Sequence, residues 1–306
     1  MYQYENIIKE AVEKSNEEIN MTIKRMTLEH SQKIALAMQA LNMELNEIKH
    51  STTNTTARVM KMEWWKEALI KKTIKQKIPP RVPVLVDLAL RIQRFETEND
   101  SAILRRYFSQ MIKAKEMDIE WGSQPPTLEA LETYADYTYG NILRVTLSQL
   151  LLHYEKYEQK PFTVEEKKAM EHVATHLGKA MGLCILLRGT KHFATHYEET
   201  YLPADLCAEY NVTETNIYRG EQKEDIKNVV YRVANRAMAH LEEARKVELP
   251  KNEDVQSQFY LAAFIETFLI TLEKKQFDIF HRAVTPNGLR FTYAKNLLKQ
   301  YFRQTF

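Results

Sequence analysis

Three basic residues accompany an apolar stretch with several small side chains, a combination suited to holding an anion. The stretch from Leu177 to Pro203 reads LGKAMGLCILLRGTKHFATHYEETYLP and carries Lys179, Arg188 and Lys191. Guanidinium and ammonium groups there could bind a phosphate or an anionic lipid headgroup. An equally good interpretation is that Arg188 pairs with a buried carboxylate such as Glu44.

Two histidine pairs also have a spacing that could do chemistry. His172 and His176 are four residues apart, as are His192 and His196. Each pair could share one side of a helix and bind zinc. The sequence contains no HExxH motif and no third ligand at an obvious spacing. We therefore favour exposed or hydrogen-bonded histidines, and we expect neither a bound metal nor a cofactor.

Composition excludes several functional classes. The chain has 306 residues, 44% hydrophobic and 27% charged, with a net charge of +2, so a nucleic-acid partner is not indicated. Its 2 cysteines, Cys184 and Cys207, form neither a disulfide framework nor a zinc motif. The longest apolar run, Phe259 to Leu272, is interrupted by Glu266. It is shorter than the ~18 residues of a membrane span, so we predict a core helix and no transmembrane segment.

Local signals place helix starts along most of the chain. The polar run from Ser51 to Thr56 predicts a break and an N-cap, and Thr127 predicts another cap. Thr163 and Glu166 form a capping box before a long helix that is predicted to end near Arg188. Pro79, Pro80 and Pro83 are predicted to end one helix, with the next beginning at Val84. Further helices are predicted at 223–246, 253–274 and 288–303.

This pattern predicts an all-α protein with a single helical domain. Apolar residues recur at helical spacing almost throughout, and no convincing strand is present. We assign an N-terminal helix extension to residues 1–29 and the domain itself to residues 30–306.

Two pairs of residues make predictions about packing. Gly178 and Gly182 are one helical turn apart, which permits another helix to approach closely. Trp64 and Trp65 are adjacent and point in different directions, so at most one can face a given cavity. We expect one tryptophan in the core and the other between helices.

Four landmarks in chain order carry a resemblance to a known family. They are Ala37–His50, Ala57–Leu69, the stretch from Leu177 to Pro203 and Gln276–Ala283. The first three resemble the squalene/phytoene synthase family, over about residues 30–306, and imply its isoprenoid (terpenoid) synthase fold. The segments NMEL and FDIFH further resemble a branch of that family, the mitochondrial assembly factors of respiratory complex I.

The resemblance also implies what a catalytic member needs. Such enzymes ionise a diphosphate with Mg²⁺ held by two acid motifs on facing helices, each with carboxylates four residues apart. The second motif follows Arg188, where this chain has Gly189 and, four positions on, Phe193. At the first motif Glu44 and Glu47 are three apart. Both motifs therefore look degenerate, which predicts a chain that is not an enzyme and binds no metal there.

We thus expect an inactive synthase-like protein that serves as an assembly factor or accessory subunit of a mitochondrial respiratory complex, with complex I expected. Its partners would be respiratory-chain subunits, and its location the matrix side of the inner membrane, peripherally bound. Tyr301, Arg303 and Phe306 are the expected protein contacts, since aromatic and arginine residues are enriched at interface centres. Two alternatives stay open: a transferase that uses isoprenoid diphosphates with altered metal ligands, and a carrier with a lipid or isoprenoid in the cavity.

Overall fold

The computed structural model describes residues 17–73 and 98–303. Every regular element within those ranges is helical, and no strand occurs in them. The predicted all-α class is therefore confirmed. The N-terminal part comprises α1 (Glu17–Ile23), α2 (Glu29–His50), and α3 (Thr55–Glu67), which continues into a π-helical turn at Ala68–Thr73.

The middle of the chain forms long, nearly continuous helices. They are α4 (Glu98–Trp121), α5 (Leu128–Ala135), a π-helical turn (Asp136–Gly140), α6 (Asn141–His153), a second π-helical turn (Tyr154–Glu158) and α7 (Val164–Tyr197). The remaining elements are α8 (Ala204–Glu209), α9 (Glu214–Arg219), α10 (Lys223–Arg245), α11 (Glu253–Gln258), α12 (Ala262–Lys274), a 3-10 turn (Arg282–Val284) and α13 (Pro286–Arg303).

Helix starts follow the caps that the sequence predicts. The side chain of Asn54 accepts a hydrogen bond from the Ala57 amide at 3.1 Å, and Thr127 caps α5 in the same way. Thr163 and Glu166 form the expected reciprocal capping box at the start of α7. Each cap satisfies amide groups that have no partner inside the helix.

Two helix boundaries differ from the prediction. Helix α7 does not end near Arg188 but continues to Tyr197, where Glu198 takes a left-handed conformation with φ of 51°. A lone glycine such as Gly189 weakens a helix without ending it. The predicted helix 253–274 is also wrong as a single element, because it is interrupted at residues 259–261. The interruption lies in the core, where all residues from 257 to 265 are buried.

Helix α7 lies at the centre of the core and contacts α5, α6, α10 and α12. Its glycines permit this, as predicted. A Cβ atom at Gly182 would lie 2.5 Å from the Cβ of Ala135, and one at Gly178 would overlap the backbone of Gly140. The close approach of α7 to the α5–α6 segment therefore depends on the absence of side chains at both positions.

A second cluster of buried residues joins α2, α3, α4 and α6. Trp65 is buried in this cluster, which confirms the prediction that one of the two tryptophans is a core residue. Trp64 is 39% exposed and is not enclosed between helices as expected.

The terminal predictions lie partly outside the described residues. Residues 1–16 and the prolines near residue 80 are among those outside. Ile23 is the last residue of α1, and Met26 follows it. Both are buried in the main core, so this segment packs onto the domain. The division at residue 30 stays a prediction. Among the described residues, no helix is long and apolar enough to cross a membrane.

Candidate functional site: a polar cavity

A cavity of about 210 Å³ lies between α2, α4, α5 and α7, with aromatic rings forming much of its wall. It is lined by Asn46, Glu47, His50, Asp118, Tyr134, Tyr139, Ile185, Leu186, His192, Phe193, Tyr197 and Tyr201. The helical spacing of Asn46, Glu47 and His50 turns one face of α2 toward it.

Asp118 is the centre of the hydrogen bonding at the base of the cavity. Lys49 Nζ donates to Asp118 Oδ1 at 3.0 Å, and Tyr201 donates its hydroxyl at 3.0 Å to the same carboxylate. Lys49 Nζ also lies 3.0 Å from Glu199 Oε2. The side chains of Lys49, Asp118 and Glu199 are only 7%, 8% and 14% exposed. One ammonium group therefore bridges two carboxylates that are largely shielded from water.

A second lysine lies beside this cluster. Lys115 Nζ donates to Asn46 Oδ1 at 2.6 Å and to the Tyr134 hydroxyl at 2.8 Å. Burial lowers the pKa of Lys115 to about 7, and the charge on Lys49 adds to this effect while Asp118 opposes it. Burial, with the charge on Asp118, also raises the pKa of Tyr134 and of Tyr201 well above the usual value, so both keep their protons.

The two positions expected for the second acid motif do lie together on α7. Phe193 lines the cavity, and a Cβ atom at Gly189 would lie 2.5 Å from its ring. The ring thus occupies the space in front of Gly189. Neither residue offers an oxygen ligand for Mg²⁺.

The two glutamates expected for the first motif are both exposed, and they differ in position. Glu47 lies at the rim of the cavity, whereas Glu44 is not among the lining residues. Partial burial raises the pKa of Glu44, and the neighbouring charge of Glu47 adds to this. Asn46 and Lys49 are the side chains of α2 that take part in the hydrogen bonds at the cavity base.

The expected basic spot of Lys179, Arg188 and Lys191 does not form as one site. Lys179 and Arg188 are nine residues apart on α7, which places them roughly 180° apart around the helix and about 13 Å apart along it. Lys179 binds Glu132 at 2.8 Å, and Lys191 is exposed. The prediction placed a helix end near Arg188, whereas α7 continues through Lys191 to Tyr197.

Arg188 faces the core, with its guanidinium carbon 4.9 Å from the centre of the Phe264 ring. Its charge partly offsets the effect of burial, which raises the pKa of Tyr139 to about 12. The alternative pairing with Glu44 is also not supported, because Glu44 is on the exposed side of α2.

The first histidine pair belongs to a hydrogen-bonded cluster on another face of α7. His176 Nδ1 lies 2.9 Å from His240 Nδ1, and His240 Nε2 lies 3.1 Å from Glu132 Oε1. Burial and the neighbouring charges of His172 and His240 lower the pKa of His176 to about 4. A hydrogen bond from His240, followed by one from Lys179, lowers the pKa of Glu132 to about 2, although burial opposes this. In the described part of the chain, no group of three or more candidate ligands could hold a metal ion.

Comparison with known proteins identifies the family and the fold of this chain. The family model for squalene/phytoene synthase matches residues 13–290. The chain belongs to the squalene/phytoene synthase family. A crystal structure of a dehydrosqualene synthase with a ligand superimposes with a TM-score of 0.72 at 16% identity, covering 99% of this chain and 97% of that one. The fold is therefore the terpenoid synthase fold.

Two relatives of this chain carry the name of an assembly factor. A mouse protein named NADH dehydrogenase (ubiquinone) complex I, assembly factor 6 is 28% identical over 273 residues, or 88% of this chain and 75% of the mouse protein. A Dictyostelium discoideum homolog of that factor is 28% identical over 276 residues, covering 89% of this chain and 71% of the homolog.

The expected contact residues at the C-terminal end differ in how exposed they are. Tyr301 is partly buried, with its ring against Tyr260 and the guanidinium of Arg25 above it. Arg303 is exposed at the end of α13, and Phe306 lies outside the described residues.

Sequence reasoning did not find Lys49, Lys115 and Asp118 at the base of the cavity. Lys115 and Asp118 continue the spacing of the buried residues Leu104, Phe108 and Met111 on α4. Charged residues on an otherwise buried helical face almost always have partners, and that signal was present in the sequence. The identity of the partners was not, because Lys49 and Tyr201 are 69 and 83 residues away from Asp118.

Proposed function

We propose that this chain is a catalytically inactive member of the family that acts as an assembly factor or accessory subunit of a mitochondrial respiratory complex, with complex I as that complex. It would work on the matrix side of the inner membrane, peripherally bound, with respiratory-chain subunits as its partners. This proposal rests on the cavity and on the names of the relatives.

The observation that carries the proposal is the chemistry of the cavity wall. A diphosphate leaving group needs Mg²⁺, and Mg²⁺ needs accessible oxygen ligands in octahedral geometry. Gly189 and Phe193 provide none at the second motif. The nearby carboxylates of Asp118 and Glu199 are already bridged by Lys49. A fixed ammonium group in this position repels a divalent cation, since like charges in a shielded site interact strongly.

The relatives support the assembly role. The proteins from mouse and Dictyostelium discoideum carry the name of a complex I assembly factor or its homolog, and this chain aligns with most of their length. An assembly factor with a synthase fold has no need of metal-binding carboxylates, and Gly189 and Phe193 provide none.

Thermal unfolding with Mg²⁺ and inorganic diphosphate tests the inactive state. We expect no change in the melting temperature, because only a ligand that binds the folded state raises it. The Glu47→Gln variant provides the matched control, since Glu47 is the exposed carboxylate at the cavity rim. A rise in melting temperature that Glu47→Gln abolishes would contradict the inactive state and favour the transferase with altered metal ligands.

Fractionation tests the assembly role. Deleting the gene in its own organism should lower the amount of mature complex I on native gels, and the wild-type chain should restore it. An assembly factor should co-migrate with incomplete complexes, whereas an accessory subunit should stay with the mature one. Normal complex I in the deletion strain would refute the proposal.

A further inference from the structure

The last helix has two apolar faces, and only one of them is used within the domain. Leu289, Tyr293 and Leu297 are buried at 1%, 0% and 1% exposure, so this face packs against the core. On the opposite side Phe291 and Phe302 are 87% and 79% exposed. Burial of the inner face explains why α13 packs against the core. It does not explain the apolar residues on the outer face.

Three exposed apolar residues lie on the same side of the helix, and we call them the outer stripe: Phe291, Leu298 and Phe302. They are seven and four residues apart, so all three fall within roughly 40° around the helix and span about 16 Å along it. Leu298 is 37% exposed. Single exposed apolar residues need no explanation, but two almost fully exposed phenylalanines aligned on one helix do.

Basic residues border the outer stripe on both sides. Lys295, Lys299 and Arg303 are exposed along one side. The guanidinium of Arg25 lies 5.5 Å from the ring centre of Tyr301 on the other side, and Arg290 is exposed there too.

The charge around α13 has a single sign. From Ile279 to Phe306 the sequence has five Lys or Arg residues and no Asp or Glu, whereas the whole chain has a net charge of only +2. A protein partner would need an acidic surface with an apolar centre. A membrane of anionic phospholipids offers both properties at once, with phosphates at the surface and acyl chains beneath.

We propose that α13 docks this protein on the surface of an anionic phospholipid membrane. Phe291, Leu298 and Phe302 enter the boundary between headgroups and acyl chains, and the flanking Lys and Arg side chains bind lipid phosphates. Helix α13 lies parallel to the membrane plane, and its inner face stays packed on the domain. Binding of this kind needs no membrane-spanning helix, because apolar area and charge act together.

Flotation with lipid vesicles tests the proposal on the purified full chain. We expect it to float with vesicles of phosphatidylcholine mixed with phosphatidylglycerol and not with phosphatidylcholine alone. High salt should weaken the binding, because salt screens the attraction between exposed charges. The double variant Phe291→Ser, Phe302→Ser should lower the partition coefficient about tenfold or more, given the apolar area that each ring would bury.

Matched variants distinguish specific membrane binding from a loss of folding and from nonspecific adsorption of exposed apolar side chains to vesicles. The double variant Tyr157→Ser, Val164→Ser removes two apolar side chains that are 52% and 61% exposed elsewhere, and it should float like the wild type. Both double variants should keep the wild-type melting temperature. The triple variant Lys295→Gln, Lys299→Gln, Arg303→Gln should float less with anionic vesicles and lose most of the salt dependence.

Two results would overturn the proposal. The first is a wild-type chain that does not float with anionic vesicles. The second is a Phe291→Ser, Phe302→Ser variant that floats as well as the Tyr157→Ser, Val164→Ser control. If the phenylalanine variant instead lost co-migration with a respiratory complex while the wild type ignored vesicles, the outer stripe would be a protein contact. The vesicle assay uses the purified chain alone, so its failure leaves the proposed assembly role standing.

Discussion

Replacing Lys49 with methionine is the sharpest test of the polar cluster at the base of the cavity. Methionine keeps most of the length of the side chain and removes only its charge and donors. Asp118 and Glu199 would then lose the ammonium group that now lies 3.0 Å from each of them. Both carboxylates would remain shielded, because the side chains of Asp118 and Glu199 are only 8% and 14% exposed.

The magnitude follows from the burial of the group. At 3.0 Å and an effective dielectric constant near 20, each pair attracts by about 5 kcal/mol, and much of this is offset by the cost of desolvating the ions. Removing one partner alone leaves that cost without compensation, which typically lowers the free energy of unfolding by about 3–5 kcal/mol. Lys115 would recover part of the loss, because its pKa of about 7 should rise once the neighbouring charge of Lys49 is gone.

The assay is urea unfolding at neutral pH, followed by helical circular dichroism. Lys33→Met on the same helix provides the matched control, since Lys33 pairs with Glu29 at 2.7 Å in a site where Glu29 is 78% exposed. That variant should lose less than about 1 kcal/mol. If Lys49→Met unfolds at the same urea concentration as Lys33→Met, then Lys49 is solvated and the cavity base is not a shielded ion cluster. A double-mutant cycle with Asp118→Asn would then also show no coupling energy.

Two further predictions concern the core and the histidine cluster. Gly182→Leu should lower the free energy of unfolding by about 1–3 kcal/mol through overpacking against Ala135, and an unchanged denaturant midpoint would refute the close contact. The pKa of His176 is lowered from 6.5 to about 4, so the unfolded chain binds more protons than the folded one between those values. The contribution of His176 to stability should therefore be full above about pH 6.5 and fall as the pH drops toward 4, whereas His176→Gln should flatten this part of the profile. A wild-type profile with the same slope as that of His176→Gln would show that the ring is solvated in the folded state.

Much of the fold could be predicted from sequence because its signals are local. Thr163 and Glu166 cap α7 through contacts within four residues, and the small residues Gly178 and Gly182 predict close packing wherever the partner lies. The end of α7 could not be predicted in the same way. Gly189 is a weak helix former, but packing of α7 across the core outweighs the small cost of one glycine.

The candidate site was predictable only in part. Gly189 and Phe193 were identified through the family resemblance, which places the second acid motif directly after Arg188. Lys49 and Asp118 were missed because their contact joins two helices whose relative position depends on the whole domain. Sequence spacing also suggested that Lys179 and Arg188 act together, but their separation by nine residues puts them on opposite sides of α7.

The ring of Phe193 has a consequence for how this sequence can change over evolutionary time. Because any side chain at residue 189 would overlap the ring where it now lies, the identities of the two positions are no longer independent. A mutation that introduced aspartate at position 189 would first meet a steric penalty and would gain no metal site, since its partner four residues on is still aromatic. A mutation of Phe193 to aspartate alone would open a void beside a glycine. Each single step toward an acid pair is thus unfavourable by itself.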